Sequence, residues 1–178
     1  TNVEHVQLTL SAYFIGLAGG QLLYGPLADR FGRRKPLLFG VLLFTVASVI
    51  CSMASSLEWL IAARFLQALG GCAGIVISRA VVRDLCDPLA SAKAFSQLML
   101  VMGVAPILAP AIGGMLLTQF GWQSIFICLA LFGALCGVAV ALWLPETLPQ
   151  DAPRSALPQA PSKYLEILKD RQFVIHAL

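Results

Sequence analysis

Arg64 is a permanent cation in the middle of an apolar run. A charge at membrane depth costs about 2.5–3.5 kcal/mol on insertion scales, so it needs a use. Gln67, Ala68 and Gly71 follow at i+3, i+4 and i+7, the spacing of one helix face. That face is polar and small and is expected to border a wet cavity. A guanidinium does not titrate near neutral pH. Arg64 can therefore set the pKa of a carboxylate but cannot itself carry a proton. The alternative is an arginine that snorkels to the nearer interface.

A second set of charges fills the hydrophilic stretch Gly25-Pro26-Leu27-Ala28-Asp29-Arg30-Phe31-Gly32-Arg33-Arg34-Lys35-Pro36. Apolar runs flank it, so it reads as a tight turn between two helices. Its charges oppose its own helices. Asp29 falls at a helix C-terminus, where the dipole favours cations; Arg33, Arg34 and Lys35 open the next helix, where it favours anions. Asp29 therefore needs a partner from elsewhere, expected to be Arg79 or Arg83. Gly32 is the natural residue for a helix stop with positive φ.

Other reactive residues form no site. The five cysteines include no CxxC pair, and His5 and His176 lie at opposite ends of the chain. A disulfide framework or zinc centre is not expected, and buried small hydrophobes are the better reading. No nucleophile–base pair and no metal-ligand cluster stands out. The chain reads as a non-enzyme without a cofactor and with no nucleic-acid partner.

Composition says what must position these residues. Of 178 residues, 58% are hydrophobic and 12% charged, with a mean hydropathy of +0.83. Soluble domains carry about twice that charge fraction. Five apolar runs stand out, at approximately 8–28, 36–55, 58–79, 94–118 and 124–144. Each is long enough for a hydrocarbon core of about 30 Å, and continuous runs indicate helices and not barrel strands. Arg64 lies six residues inside the third, ~9 Å along it.

Eleven of the twelve Lys and Arg fall in the 29–36 loop, the 79–93 loop or the tail, all on one side of these spans. The twelfth is Arg64. By the positive-inside rule the basic side is cytoplasmic. The N-terminus is then outside, and without a signal peptide a preceding helix is expected. Residues 145–170 read as a proline-rich cytoplasmic linker with a short amphipathic helix from Tyr164 to Lys169, and 171–178 as the start of a further span.

Small residues mark the contact faces. Ala12, Gly16 and Gly20, then Gly70 and Gly74, then Gly133 and Gly137, are four apart, a spacing that lets helices approach closely in lipid. The fourth run aligns Gly103, Pro106, Pro110, Gly113 and Gly114 on one face. Such a row bends a helix and grooves it for a neighbour.

The run Gly25-x-Leu27-Ala28-Asp29-Arg30-x-Gly32-Arg33-Arg34 resembles the loop signature of the major facilitator superfamily, between its second and third helices. Arg64-x-x-Gln67-Ala68-x-Gly70 resembles another of its signatures, with Ala68 in place of the first Gly. Ala105 to Gly114 is similar to the antiporter signature of its fifth helix, with Ala109 for the usual Gly. The resemblance covers about residues 8–150. It implies an all-α integral membrane bundle, the incomplete N-terminal half of such a transporter, spanning helices two to six.

Within the family, the chain looks most like the bicyclomycin and chloramphenicol resistance type. That implies proton-coupled export of small amphipathic drugs by alternating access in the bacterial inner membrane. It also implies a conformational-switch role for Gly25, Asp29, Arg30, Gly32, Arg33 and Arg34, and a proton-coupling role for Arg64 and Gln67. No acidic residue lies within the five runs except Asp29 and Glu58 at their edges, so the proton carrier is expected elsewhere. The lipid bilayer is the obligatory partner, and the full-length protein is expected to be monomeric. The alternatives are a metabolite or sugar porter of the same superfamily and a non-transport membrane subunit.

Overall fold

Two glycines with positive φ set the tight connections of the chain. Gly32 (φ 88°) ends the first helix and Gly121 (φ 81°) ends the fourth. No other described residue has a positive φ. The computed structural model describes residues 3–148 as five helices. These are α1 (Val3–Phe31), α2 (Arg34–Ser52), α3 (Leu57–Leu85), α4 (Pro88–Phe120) and α5 (Gln123–Trp143). The expected linker helix from Tyr164 to Lys169 and the start of a span at 171–178 lie outside the described residues.

Local capping explains where two of these helices begin. Ser56 accepts the Trp59 N–H at 3.3 Å ahead of α3. Asp87 accepts the Ala90 N–H at 2.7 Å ahead of α4, whose first position is Pro88. Both are side-chain oxygens placed to satisfy an orphan N–H, and proline suits a first turn that lacks a donor requirement.

The helices outrun the apolar runs. The expected loop at 79–93 is almost entirely helical, since α3 continues to Leu85 and α4 starts at Pro88. Cys86 and Asp87 alone separate them. Charged side chains end an apolar run without ending a helix, because the backbone still satisfies itself beyond the hydrocarbon. By the same reasoning α1 runs through Gly25 and Pro26 to Phe31, so the turn after it is only Gly32 and Arg33.

By length and composition α2, α3, α4 and α5 can each cross a membrane. At 29 residues α1 is also long, but glycines, Gln7, Ser11, Tyr13 and Gln21 dilute its hydropathy.

α3 is the centre of the bundle. It packs along α1 on one side and α2 on the other, and α2 in turn packs on α5. The core joins Tyr24 and Ala28 of α1, Leu37 of α2, and Cys72, Ala73 and Ile77 of α3. Missing side chains make these contacts possible. A Cβ on Gly16 would come 2.6 Å from the Phe65 carbonyl, and one on Gly70 would come 2.6 Å from the Gly40 carbonyl. Backbone thus lies against backbone, the arrangement small residues favour in lipid. The rows do not act uniformly, because Gly74 has open space beside it. α4 touches α3 and α5 only lightly, and Ser91 is its only buried residue.

Candidate functional site

The charges around the α1–α2 turn form one cluster. Arg33 Nη1 pairs with Asp29 Oδ1 at 2.5 Å, four residues back across Gly32. Its Nε pairs with Asp84 Oδ2 at 2.9 Å, near the end of α3. Arg33 is therefore the bridge between α1 and α3. This corrects the expectation for Asp29, because its partner is Arg33 and not Arg79 or Arg83. Arg83 instead donates from Nε to the Arg79 carbonyl at 3.4 Å. The i,i+4 spacing of Asp29 and Arg33 was visible in the sequence.

The cations that open α2 are answered by an acid from the far end of the chain. Glu146, just past α5, accepts the backbone N–H of Arg33 at 2.6 Å and of Arg34 at 3.3 Å. Arg33, the residue capping α2, has no capping side chain of its own, so Glu146 does that work. The same carboxylate accepts the N–H groups of Thr147 and Leu148, both at 3.1 Å. Burial raises its pKa, but the backbone donors outweigh that and hold it below the usual carboxylate range. Thr147 Oγ1 reaches Asp84 Oδ2 at 3.5 Å, which joins the two halves of the cluster.

Gly32 is where these requirements meet. Its φ of 88° suits glycine, and a Cβ there would lie 2.6 Å from Cδ of Glu146. Arg30 is exposed and stacks on Phe31 at 5.4 Å, and Gly25 lies within α1, so neither enters the ion pairs.

The second site is a chain of hydrogen bonds at depth. Arg64 Nη1 donates to Gln67 Oε1 at 2.7 Å. Gln67 Nε2 donates to Ser48 Oγ of α2 at 2.7 Å, and Ser48 Oγ donates to the Phe44 carbonyl at 2.7 Å. Each direction is forced. Arginine only donates, so the amide oxygen faces it and the amide nitrogen faces Ser48. The hydroxyl proton then goes to the carbonyl. Arg64 also lies 4.4 Å from the Tyr13 ring of α1 and 5.7 Å from the Phe126 ring of α5. Four helices thus hold one cation, and two of its contacts are cation–π.

Gln67 and Ser48 are fully buried. The expected wet cavity on the Gln67 and Ala68 face is therefore a packed contact between α3 and α2. An apolar cavity of about 210 Å³ does open one turn further on, lined by Phe44, Gly70, Gly71, Phe132 and Gly133. Ser48 gave no signal in the sequence, since a lone serine in an apolar run more often bonds its own backbone.

The sequence profile of the Major Facilitator Superfamily matches residues 1–178. The chain belongs to that superfamily. It is 43% identical over 97% of its length to the uncharacterized MFS-type transporter YdgK of Bacillus subtilis, of which it covers 44%. It is 40% identical over 85% of its length to multidrug resistance protein D of Escherichia coli, covering 39% of that protein. It is 38% identical over 81% of its length to a bicyclomycin resistance protein homolog of Haemophilus influenzae, covering 36%. The chain thus spans less than half the length of these relatives.

The Pro/Gly face of α4 in this superfamily member sits apart from both clusters. Pro106 and Pro110 lie inside α4 without interrupting it. A Cβ on Gly103, Gly113 or Gly114 would meet nothing within 4 Å. Among the described residues nothing fills the groove that this row creates. No group of three or more His, Cys, Asp or Glu among the described residues could hold a metal ion. The five cysteines are free, with Cys51 and Cys72 buried.

Proposed function

We propose that the intact protein exports small amphipathic drugs in exchange for protons across the bacterial inner membrane. The basic loops face the cytoplasm and the protein acts as a monomer by alternating access. The observation that carries the reading is Arg64. It is a cation at membrane depth, half-buried, with an amide donor–acceptor chain and two aromatic rings fixing its place. A cation fixed so firmly, with no carboxylate among its described partners, serves to depress the pKa of an acid that approaches and leaves. Kinship with proteins named for multidrug and bicyclomycin resistance supplies the substrate class.

The charge cluster at Asp29, Arg33, Asp84 and Glu146 acts as the conformational switch, since it ties the ends of α1, α2, α3 and α5 together. The bare Pro/Gly face of α4 packs against another part of the intact protein, in the seam that opens and closes around a midplane site.

Reconstituted vesicles with an imposed pH gradient and a drug load test the reading. Drug movement should follow the gradient. Arg64→Ala should abolish the exchange, and Arg64→Lys should keep part of it. Gly113→Leu should abolish it while the protein still reaches the membrane, because among the described residues nothing lies within 4 Å of a Cβ added there. Drug movement indifferent to the gradient would instead indicate a facilitator, such as a metabolite or sugar porter of the superfamily.

A further inference from the structure

Arg34 opens α2, but its guanidinium serves α5. Nη2 donates to the Ala141 carbonyl at 2.5 Å. That carbonyl lacks its own helical donor for a covalent reason. The residue four further on is Pro145, which has no N–H. Leu144, one residue earlier, still donates to Val140 at 3.2 Å. Arg34 is thereby pinned to the last turn of α5.

Its charge is left over. Among the described residues no carboxylate lies within ion-pair distance of Arg34, and its Nε is buried without an acceptor. Glu146 is close, but both of its oxygens are engaged by backbone N–H groups. Lys35, beside Arg34, is exposed and also lacks a carboxylate partner among the described residues.

An apolar crevice of about 400 Å³ starts at this point. Leu37 of α2, Val81 and Val82 of α3, and Val140, Trp143 and Leu144 of α5 line it. Leu37 is one turn on from Arg34, and Val140 and Leu144 flank the residue whose carbonyl Arg34 holds. The cation therefore stands at one end of the crevice. The hydroxyl in the lining, on Ser78, is turned back to the Ile75 carbonyl at 3.5 Å. Nothing polar inside the crevice calls for water or a polar ligand. Trp143 is 79% exposed at its rim, at the helix end, where tryptophan sits at headgroup level. All three helices that form the crevice can cross a membrane, so it opens sideways into lipid.

We propose that this is a binding site for one anionic phospholipid in the leaflet on the basic side. Its phosphate lies on Arg34 and Lys35, and one acyl chain fills the crevice. The cations select the charge, because a zwitterionic headgroup carries its own ammonium and gains less from them. The crevice selects a hydrocarbon chain over a free anion.

The test uses the intact protein with Trp143 as its sole tryptophan, the others replaced by phenylalanine. It is reconstituted in phosphatidylcholine vesicles that contain a small, equal fraction of either phosphatidylglycerol or phosphatidylcholine with brominated acyl chains. Bromine quenches a tryptophan it touches. Brominated phosphatidylglycerol should quench Trp143 at least twofold more than the choline lipid. Arg34→Gln should erase that preference and Arg34→Lys should retain most of it, which separates lost charge from lost structure. Equal quenching by both lipids, or a preference unchanged by Arg34→Gln, would overturn the proposal. No quenching by either would mean that protein covers the crevice, which also overturns it. Loss of the preference on adding inorganic phosphate would mean a simple anion site and would reject the lipid.

Discussion

The carboxylate of Glu146 accepts the backbone N–H of Arg33 at 2.6 Å, across 113 residues of chain. One acid after the last described helix thus completes the first turn of α2. It resolves the apparent misplacement of three cations at a helix N-terminus, because the dipole there is met by an anion that follows α5. It also makes the α1–α2 turn and the exit from α5 a single unit.

Gly32→Ala should break that unit. A left-handed conformation costs a residue with a Cβ about 1–2 kcal/mol. The added methyl would also displace the Glu146 carboxylate from Arg33 and Arg34. Thermal unfolding of the purified protein should show a loss of at least that size. A melting temperature equal to that of the parent would mean that the cap is dispensable.

The Glu146 cap should titrate. Its folded-state pKa lies below the ordinary value of 4.5, so the carboxylate stabilises the fold fully above that pH. The contribution is lost as pH falls through the folded value. Melting temperatures of the parent and of Glu146→Gln should therefore differ most at neutral pH and converge as pH falls through the depressed folded-state pKa. A gap that does not narrow on acidification would assign the difference to packing.

The Arg64 chain predicts graded effects. Ser48→Ala removes the acceptor of the Gln67 amide and should cost about 0.6–1.7 kcal/mol, the range for hydrogen bonds between membrane helices. It leaves Arg64 bound to Gln67, so exchange should be only modestly reduced. Gln67→Leu frees the guanidinium and should cost exchange far more than stability. Equal transport defects in the two variants would contradict a role for the Arg64–Gln67 contact itself.

Orientation can be read by labelling. In a background lacking native cysteines, a cysteine at Ser56 should react with an impermeant thiol reagent applied outside the cell. One at Ser155 should not. The reverse pattern would place the basic loops outside.

The sequence by itself determined everything that depends on short spacing. Long apolar runs must be helical in lipid, because each backbone group there has to find its partner within the segment. Positive φ at Gly32 followed from the need to stop one helix and start another within two residues. Arg64 and Gln67 had to face one way, being three residues apart. Only the tertiary structure decided which distant residues meet. Glu146 on the α2 N-terminus, Asp84 on Arg33 and Ser48 on Gln67 join helices whose rotation and depth no local pattern specifies. Those are set by where glycines such as Gly16 and Gly70 let one backbone rest against another, a packing outcome of the whole bundle. The partner of Asp29 shows the boundary. Spacing alone offered Arg33, but the tertiary course of the turn decided that the bond forms and that Arg79 and Arg83 stay outside it.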